Sequence, residues 1–219
     1  MIDRNCEALL LDYAAGTLDP AEEMIVAAHL TLSPDSRRFV AACEAIGGAM
    51  VAQDCDPAEL SPGCLDSLLA KIDCLEVLCE ERAAPAGCCI ECCDPIPAPI
   101  ARLFPEEGRH RLKWKRAFDG MRFVAGRVEG SDGRIRLIRA DPGFIMPRHV
   151  HRGLEITLVL DGAIEDESGR YVRGDLFVME DGSSHEQVAD RDAGCLCFAV
   201  NAGSVRFPGI LSRLLGRFF

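Results

Sequence analysis

Three of the five histidines in this chain fall within one pattern: Gly143-x5-His149-x-His151-x3-Glu155-x6-Gly162, then Gly174-x7-Gly182-x2-His185. Imidazole nitrogens with a carboxylate form a borderline-to-hard donor set, suited to zinc, manganese, iron or nickel. The spacing belongs to β-strands. Residues two apart leave a strand on the same face, so His149 and His151 share one, and Glu155 keeps their parity. His185 arrives from another strand behind the turn Asp181-Gly182-Ser183-Ser184. The plainer alternative, histidines scattered over a polar surface strand, leaves the framing glycines and the fourth ligand unexplained. The spacing therefore predicts a metal held by His149, His151, Glu155 and His185.

Thiols offer a second chemistry. Twelve cysteines in a small secreted chain would suggest disulfides, whereas a reducing compartment favours free thiols or metal ligands. Cys88-Cys89-x2-Cys92-Cys93 is the dense cluster. Its spacing suits a redox element or a second metal, and equally a thiol-rich linker without a partner. Cys195 and Cys197 alternate on the strand after His185. They either face the cavity as oxidant sensors or fill the core, and core packing is the usual fate of a free cysteine. Cys6, Cys43, Cys55, Cys64 and Cys74 follow no ligand spacing and read as small hydrophobes.

Two kinds of element must position these residues. Residues 1–82 read as a small helical bundle. A first helix over Glu7–Ala15 stops at Gly16, and Asp19-Pro20-Ala21-Glu22 supplies an N-cap, a proline at N1 and a glutamate at N3 for the second. Ser33-Pro34-Asp35-Ser36 starts a third that runs to about Gly47-Gly48 or slightly beyond. Ser61-Pro62 opens a fourth, with Leu65, Leu68, Leu69, Ile72, Leu75 and Leu78 as its apolar stripe. Residues 83–109 form a Pro/Cys-rich linker with a short helix. Residues 110–205 change to short β-type runs such as Ile135–Ile138, Ile156–Leu160, Leu176–Met179 and Leu196–Val200, broken by Gly and Asp, which favours a sandwich or barrel. Residues 206–219 read as a helical tail, apolar with two arginines, that packs on the body, forms a dimer contact or meets a membrane surface; packing on the body is favoured.

The paired histidine blocks resemble the cupin family, whose two short motifs carry three histidines and a glutamate inside a small β-barrel. The first block matches at every defining position. The second departs at Glu180, where the family usually has proline, and at Ala189, where it often has asparagine; neither is a ligand position. The resemblance implies a cupin β-barrel (a double-stranded β-helix) holding one divalent metal, with zinc the first choice and manganese, iron or nickel as alternatives. The fold class is then α+β in two domains, a small all-α bundle followed by the barrel.

Charge separates the two parts. The chain of 219 residues carries a net charge of −11, and residues 1–80 hold 15 acids against four bases, so the remainder is balanced. An acidic surface repels phosphate backbones and attracts basic partners, which argues against direct nucleic-acid binding and for a basic protein partner. No stretch approaches the ~20 apolar residues of a membrane span. The start Met1-Ile2-Asp3-Arg4 lacks a signal-peptide pattern, so a cytoplasmic protein is expected.

An acidic helical bundle joined to a C-terminal cupin is similar to the ChrR-type anti-sigma factors. The likeness lies in Leu9-Leu10-Leu11-Asp12-Tyr13-Ala14-Ala15-Gly16, in Ala27-Ala28-His29-Leu30 and in Ala45-Ile46-Gly47-Gly48. It implies a helical domain that holds an alternative, ECF-type sigma factor, with the cupin as sensor or modulator of an oxidative-stress response. It also implies structural zinc on His-x3-Cys-x2-Cys plus an upstream histidine. This chain instead has His29-x3-Ser33-x2-Ser36, and hydroxyls are poor zinc ligands beside thiolates. No zinc is expected there, and Ser33 reads as the cap of the third helix.

The leading expectation is an anti-sigma factor with no enzymatic activity of its own, able to form a homodimer through the cupin. The alternative is a cupin metalloenzyme of dioxygenase or isomerase type with an accessory helical domain, since such a ligand set leaves metal positions open. A purely structural or storage role fits the localised negative charge less well.

Overall fold

Helices begin where side chains cap them. The structure, a computed structural model, describes residues 4–56, 58–81, 96–103 and 112–207. Helix α1 (Arg4–Ala15) ends at Gly16, whose positive φ turns the chain. Helix α2 (Pro20–Leu32) opens on the anticipated capping box: Asp19 Oδ1 accepts from the Ala21 amide at 2.9 Å, and the Glu22 carboxylate accepts from the Asp19 amide at 3.3 Å. Helix α3 (Pro34–Asp54) starts at Ser33, whose hydroxyl accepts from the Ser36 amide at 3.3 Å. It continues through Gly47 and Gly48 to Asp54, six residues beyond the pair, because each glycine costs only about 1 kcal/mol and Ala49-Met50-Val51-Ala52 sustain the helix. Helix α4 (Cys64–Glu81) and the short α5 (Ala98–Ala101) follow.

Ten strands come next: β1 (Lys115–Phe118), β2 (Met121–Arg127), β3 (Arg134–Ala140), β4 (Ile145–Arg152), β5 (Glu155–Asp166), β6 (Gly169–Val172), β7 (Leu176–Met179), β8 (Ser184–Ala189), β9 (Cys195–Asn201) and β10 (Ser204–Arg206). Every pairing is antiparallel, in the order β1-β2-β3-β9-β5-β8-β4-β10, with β6 and β7 added alongside β5. Strand β5 belongs to both halves of this curled sheet. Its first half pairs with β7 and β9, its second with β6 and β8, and the register shifts between Val159 and Asp161. The bend lies beside Gly162, where φ is +68° and a Cβ would collide with the Gly194 carbonyl. That close approach explains why the histidine pattern ends on a glycine.

The sheet's two faces have different tasks. Ile135 and Leu137 of β3, Ile156, Leu158 and Leu160 of β5, and Phe198 and Val200 of β9 form one core with Leu9 and Leu10 of α1, Ile25 and Val26 of α2, and Val40 of α3. Helix α2 lies on β5 and β9, α1 on β7, and α5 on α2. The first helices are thus a cover for the barrel, not a bundle closed on itself. Met1–Gly47 and Pro95–Phe219 accordingly form one compact unit, and Gly48–Asp94 a second.

Within the second unit the stripe of α4 does not enter a core: Leu65, Leu68, Leu69 and Ile72 are all exposed. Of the cysteines read as small hydrophobes, Cys6 is buried and Cys43 half-buried, whereas Cys55, just past the end of α3, and Cys64, at the start of α4, are exposed. The side chain of Cys74, the cluster Cys88, Cys89, Cys92 and Cys93, and the tail beyond Phe207 lie outside the described residues. No described helix is long and apolar enough to cross a membrane.

Candidate metal centre

Sheet register builds the site. Strands β4 and β8 pair so that His149 and His185 are direct neighbours, and His151 lies two residues along β4 on the same face. All three side chains are buried. His185 Nε2 lies 3.0 Å from both His149 Nε2 and His151 Nε2. With metal–nitrogen bonds of about 2.0–2.1 Å, neighbouring ligand atoms sit roughly 3.0–3.4 Å apart, so the spacing suits one shared ion.

The hydrogen bonds at the far side of each ring strengthen that fit. His149 Nδ1 is 2.9 Å from the Pro147 carbonyl, which can only accept, so Nδ1 carries the proton. His185 Nδ1 is 2.9 Å from Asp166 Oδ2 and donates in the same way. With the Nδ1 protons committed to these acceptors, the Nε2 atoms of both rings are the edges turned toward each other, where a cation between them would be held. His151 Nδ1 is buried without a hydrogen-bond partner. Burial first, and then the proximity of the other rings, pushes His149 and His151 down to about 4, so both rings are neutral at neutral pH and free to act as ligands.

Glu155 takes a different place from the one expected. It does not share the strand of His149 and His151. The chain turns at Gly153, and Glu155 heads β5. Its Oε2 lies 3.8 Å from His151 Nδ1 and accepts from Asn201 Nδ2 at 2.6 Å. The carboxylate thus stands beside the three-nitrogen cluster and outside it. Sequence reasoning missed Asp166 and Asn201, and the signal for them is tertiary: each lies at the end of a strand that pairs only in the closed barrel. The cluster faces a cavity whose walls include His149, Glu155, Arg136, Phe144, Met146 and Cys197.

A family profile described as ChrR Cupin-like domain matches residues 109–205. Over 216 residues, covering 97% of this chain and 95% of the relative, the sequence is 37% identical to anti-sigma-E factor ChrR of Cereibacter sphaeroides. This chain belongs to the ChrR family of anti-sigma factors. A similar fold occurs in the crystal structure of Rhodobacter sphaeroides SigE in complex with the anti-sigma ChrR. That match has a TM-score of 0.69 and 32% identity, and covers 89% of this chain and 96% of the other.

Against the ChrR-family pattern, the helical motif has changed its chemistry. His29, Ser33 and Ser36 come together as a hydrogen-bond relay. His29 Nδ1 donates to the Gly174 carbonyl at 2.8 Å, so its Nε2 accepts from the Ser36 hydroxyl at 2.8 Å, which in turn accepts from Ser33 Oγ at 2.9 Å. Every side-chain polar atom in this group has a partner, and two hydroxyls with one imidazole make a poor zinc site. Burial lowers the His29 pKa, against the pull of the Gly174 bond and of Asp175, in keeping with a neutral ring. Beside it, Cys6 Sγ donates to the Leu176 carbonyl at 3.0 Å. Gly174, at the head of the second histidine block, is a docking point: a Cβ there would stand 3.3 Å from Leu32 Cβ of α2.

Cys195 and Cys197 meet inside the barrel with their sulfurs 3.0 Å apart, both buried. The hydrogen bond to Cys195, followed by burial, raises the Cys197 pKa well above the usual thiol range. It is held as a thiol, packed beside Val159, Phe177 and Ala189.

Proposed function

We propose that this chain sequesters an alternative sigma factor, with the cupin metal centre setting the strength of that hold in an oxidative-stress response. The observation that carries the reading is the unit Gly48–Asp94. Along α4, Leu65, Leu68, Leu69 and Ile72 recur at helical spacing and are exposed, and Val51 and Leu60 are exposed as well. Asp54, Asp56, Glu59, Asp66 and Asp73 accompany them. An apolar ridge in an acidic field suits a partner with an apolar groove and a basic surround, as a DNA-binding protein presents. The ChrR of the related crystal structure is named as bound to SigE.

Within this reading the metal is zinc, held by His149, His151 and His185 with Glu155 beside them as the fourth ligand once it swings in, and the helical region holds none. A divalent ion held by His149, His151 and His185 would tie β4 to β8, with Glu155 at the head of β5 beside it. Strand β5 pairs with β7 through Leu158 and Leu176, and the Leu176 and Gly174 carbonyls receive Cys6 and His29. A change at the centre thus has a short, hydrogen-bonded route to α1 and α2. In this reading Cys197, which lines the cavity and touches Cys195, is the thiol that an oxidant entering there would meet.

The test is co-expression with a sigma factor encoded beside this chain, followed by co-purification and a transcription assay. A stable complex and repression are expected. Absence of both overturns the proposal.

A further inference from the structure

Among the three imidazoles, only His185 is hydrogen-bonded to a charged side chain; Glu155 approaches His151 Nδ1 no closer than 3.8 Å. His149 leans on a neutral carbonyl, and His151 Nδ1 has no hydrogen-bond partner. The partner of His185 is Asp166, the last residue of β5, and the two side chains are 4% and 2% exposed. An aspartate at a hairpin tip is ordinarily solvated, so its enclosure calls for an explanation. Its oxygens divide their work. Oδ1 accepts from the Ser168 amide at 2.8 Å and the Gly169 amide at 3.3 Å, which fixes the β5–β6 turn. Oδ2 accepts from His185 Nδ1 at 2.9 Å. The carboxylate thus cannot rotate without giving up the turn.

We infer that Asp166 is the positioning residue of the metal centre: anchored by its own turn, it holds His185 with the bare Nε2 aimed at His149 and His151. This rests on the reading that the three histidines share a metal. A carboxylate behind a ligating histidine fixes the tautomer and strengthens the ring as a donor, and its loss typically costs 10–100-fold in metal affinity. The same hairpin tip also reaches the other ligand strand, because Glu167 pairs with Arg148, the neighbour of His149. The tip therefore bears on both β4 and β8.

The experiment uses the full chain, stripped of metal and titrated with cobalt(II) or zinc against a chromophoric chelator. Asp166→Asn keeps the size and can still cap the turn, but removes the charge behind His185. We expect its affinity to fall by about 10–100-fold with an altered cobalt absorption spectrum, while the metal-free variant melts close to the metal-free wild type. Should Asp166→Asn not fold, Asp166→Ser keeps a turn-capping hydroxyl and carries the same expectation. Wild-type affinity in the folded variant overturns the proposal. His149→Ala is the separate control: if it keeps its metal, the three-histidine reading itself fails. If it loses the metal while Asp166→Asn binds normally, only the role of Asp166 fails.

Discussion

His149 and His185 occupy paired positions on β4 and β8, with their Nε2 atoms 3.0 Å apart and their Nδ1 protons already committed elsewhere. A site made of cross-strand neighbours inherits its precision from the sheet ladder. The loops that lead into it have little to contribute to that precision.

The chain should therefore carry one metal ion, not two. Elemental analysis of purified protein should give about one ion, and close to none after His149→Ala with His185→Ala. The paired change Ser33→Cys and Ser36→Cys should raise the wild-type figure by restoring thiolates beside His29. A wild type that already holds two ions would contradict the relay drawn for His29.

That relay should matter for stability. His29→Ala leaves the Gly174 carbonyl and the Ser36 hydroxyl without their partner at a buried position, at a cost of about 2 kcal/mol. In a chain of this size the melting temperature should fall by roughly 4–8 °C. Thermal melts of metal-loaded protein check this, and an unchanged melting temperature would count against it.

The relay also has a pH signature. The folded pKa of His29 lies below its ordinary value of 6.5, so the unfolded chain binds this proton first. The stability it protects is complete above about 6.5 and is lost as pH falls toward the folded value. His29→Asn retains a donor for Gly174 but cannot titrate. Below pH 6.5 its stability should decline less steeply than that of wild type, as denaturant melts across pH 5–7.5 at matched metal content would reveal.

Partner binding should fail without loss of folding when the ridge on α4 is charged. Leu65→Asp and Leu68→Asp alter exposed positions, so folding stability should change by no more than about 0.5 kcal/mol. Affinity for the sigma factor should weaken at least roughly tenfold for each, as expected when apolar anchors are lost. Calorimetric titration with wild type as reference would settle it.

Much of this was legible in the residues. The parity of His149 and His151, the capping box at Asp19 and the glycine stop of α1 are local, and each appears in the fold where its pattern put it. What escaped is non-local. Glu155 keeps the parity of the histidines, but parity has no meaning across the turn at Gly153, and only the pairing of β5 brings it back toward the centre. Nothing local marks Asp166, because the partner that encloses it is 19 residues away. The stripe on α4 reads as core by spacing alone, since periodicity marks an apolar face without saying what covers it.

The shared core of helices and sheet bears on how this protein can be divided. A fragment beginning at β1 would strip α1 and α2 from Ile135, Leu137, Ile156, Leu158 and Phe198, all fully or nearly fully buried in the intact chain. A naked apolar sheet face of that kind aggregates, so the barrel is not a transplantable cassette. Chimeras that exchange recognition between relatives would do better to cut within α3, near Gly47, and leave the first two helices with the barrel they roof.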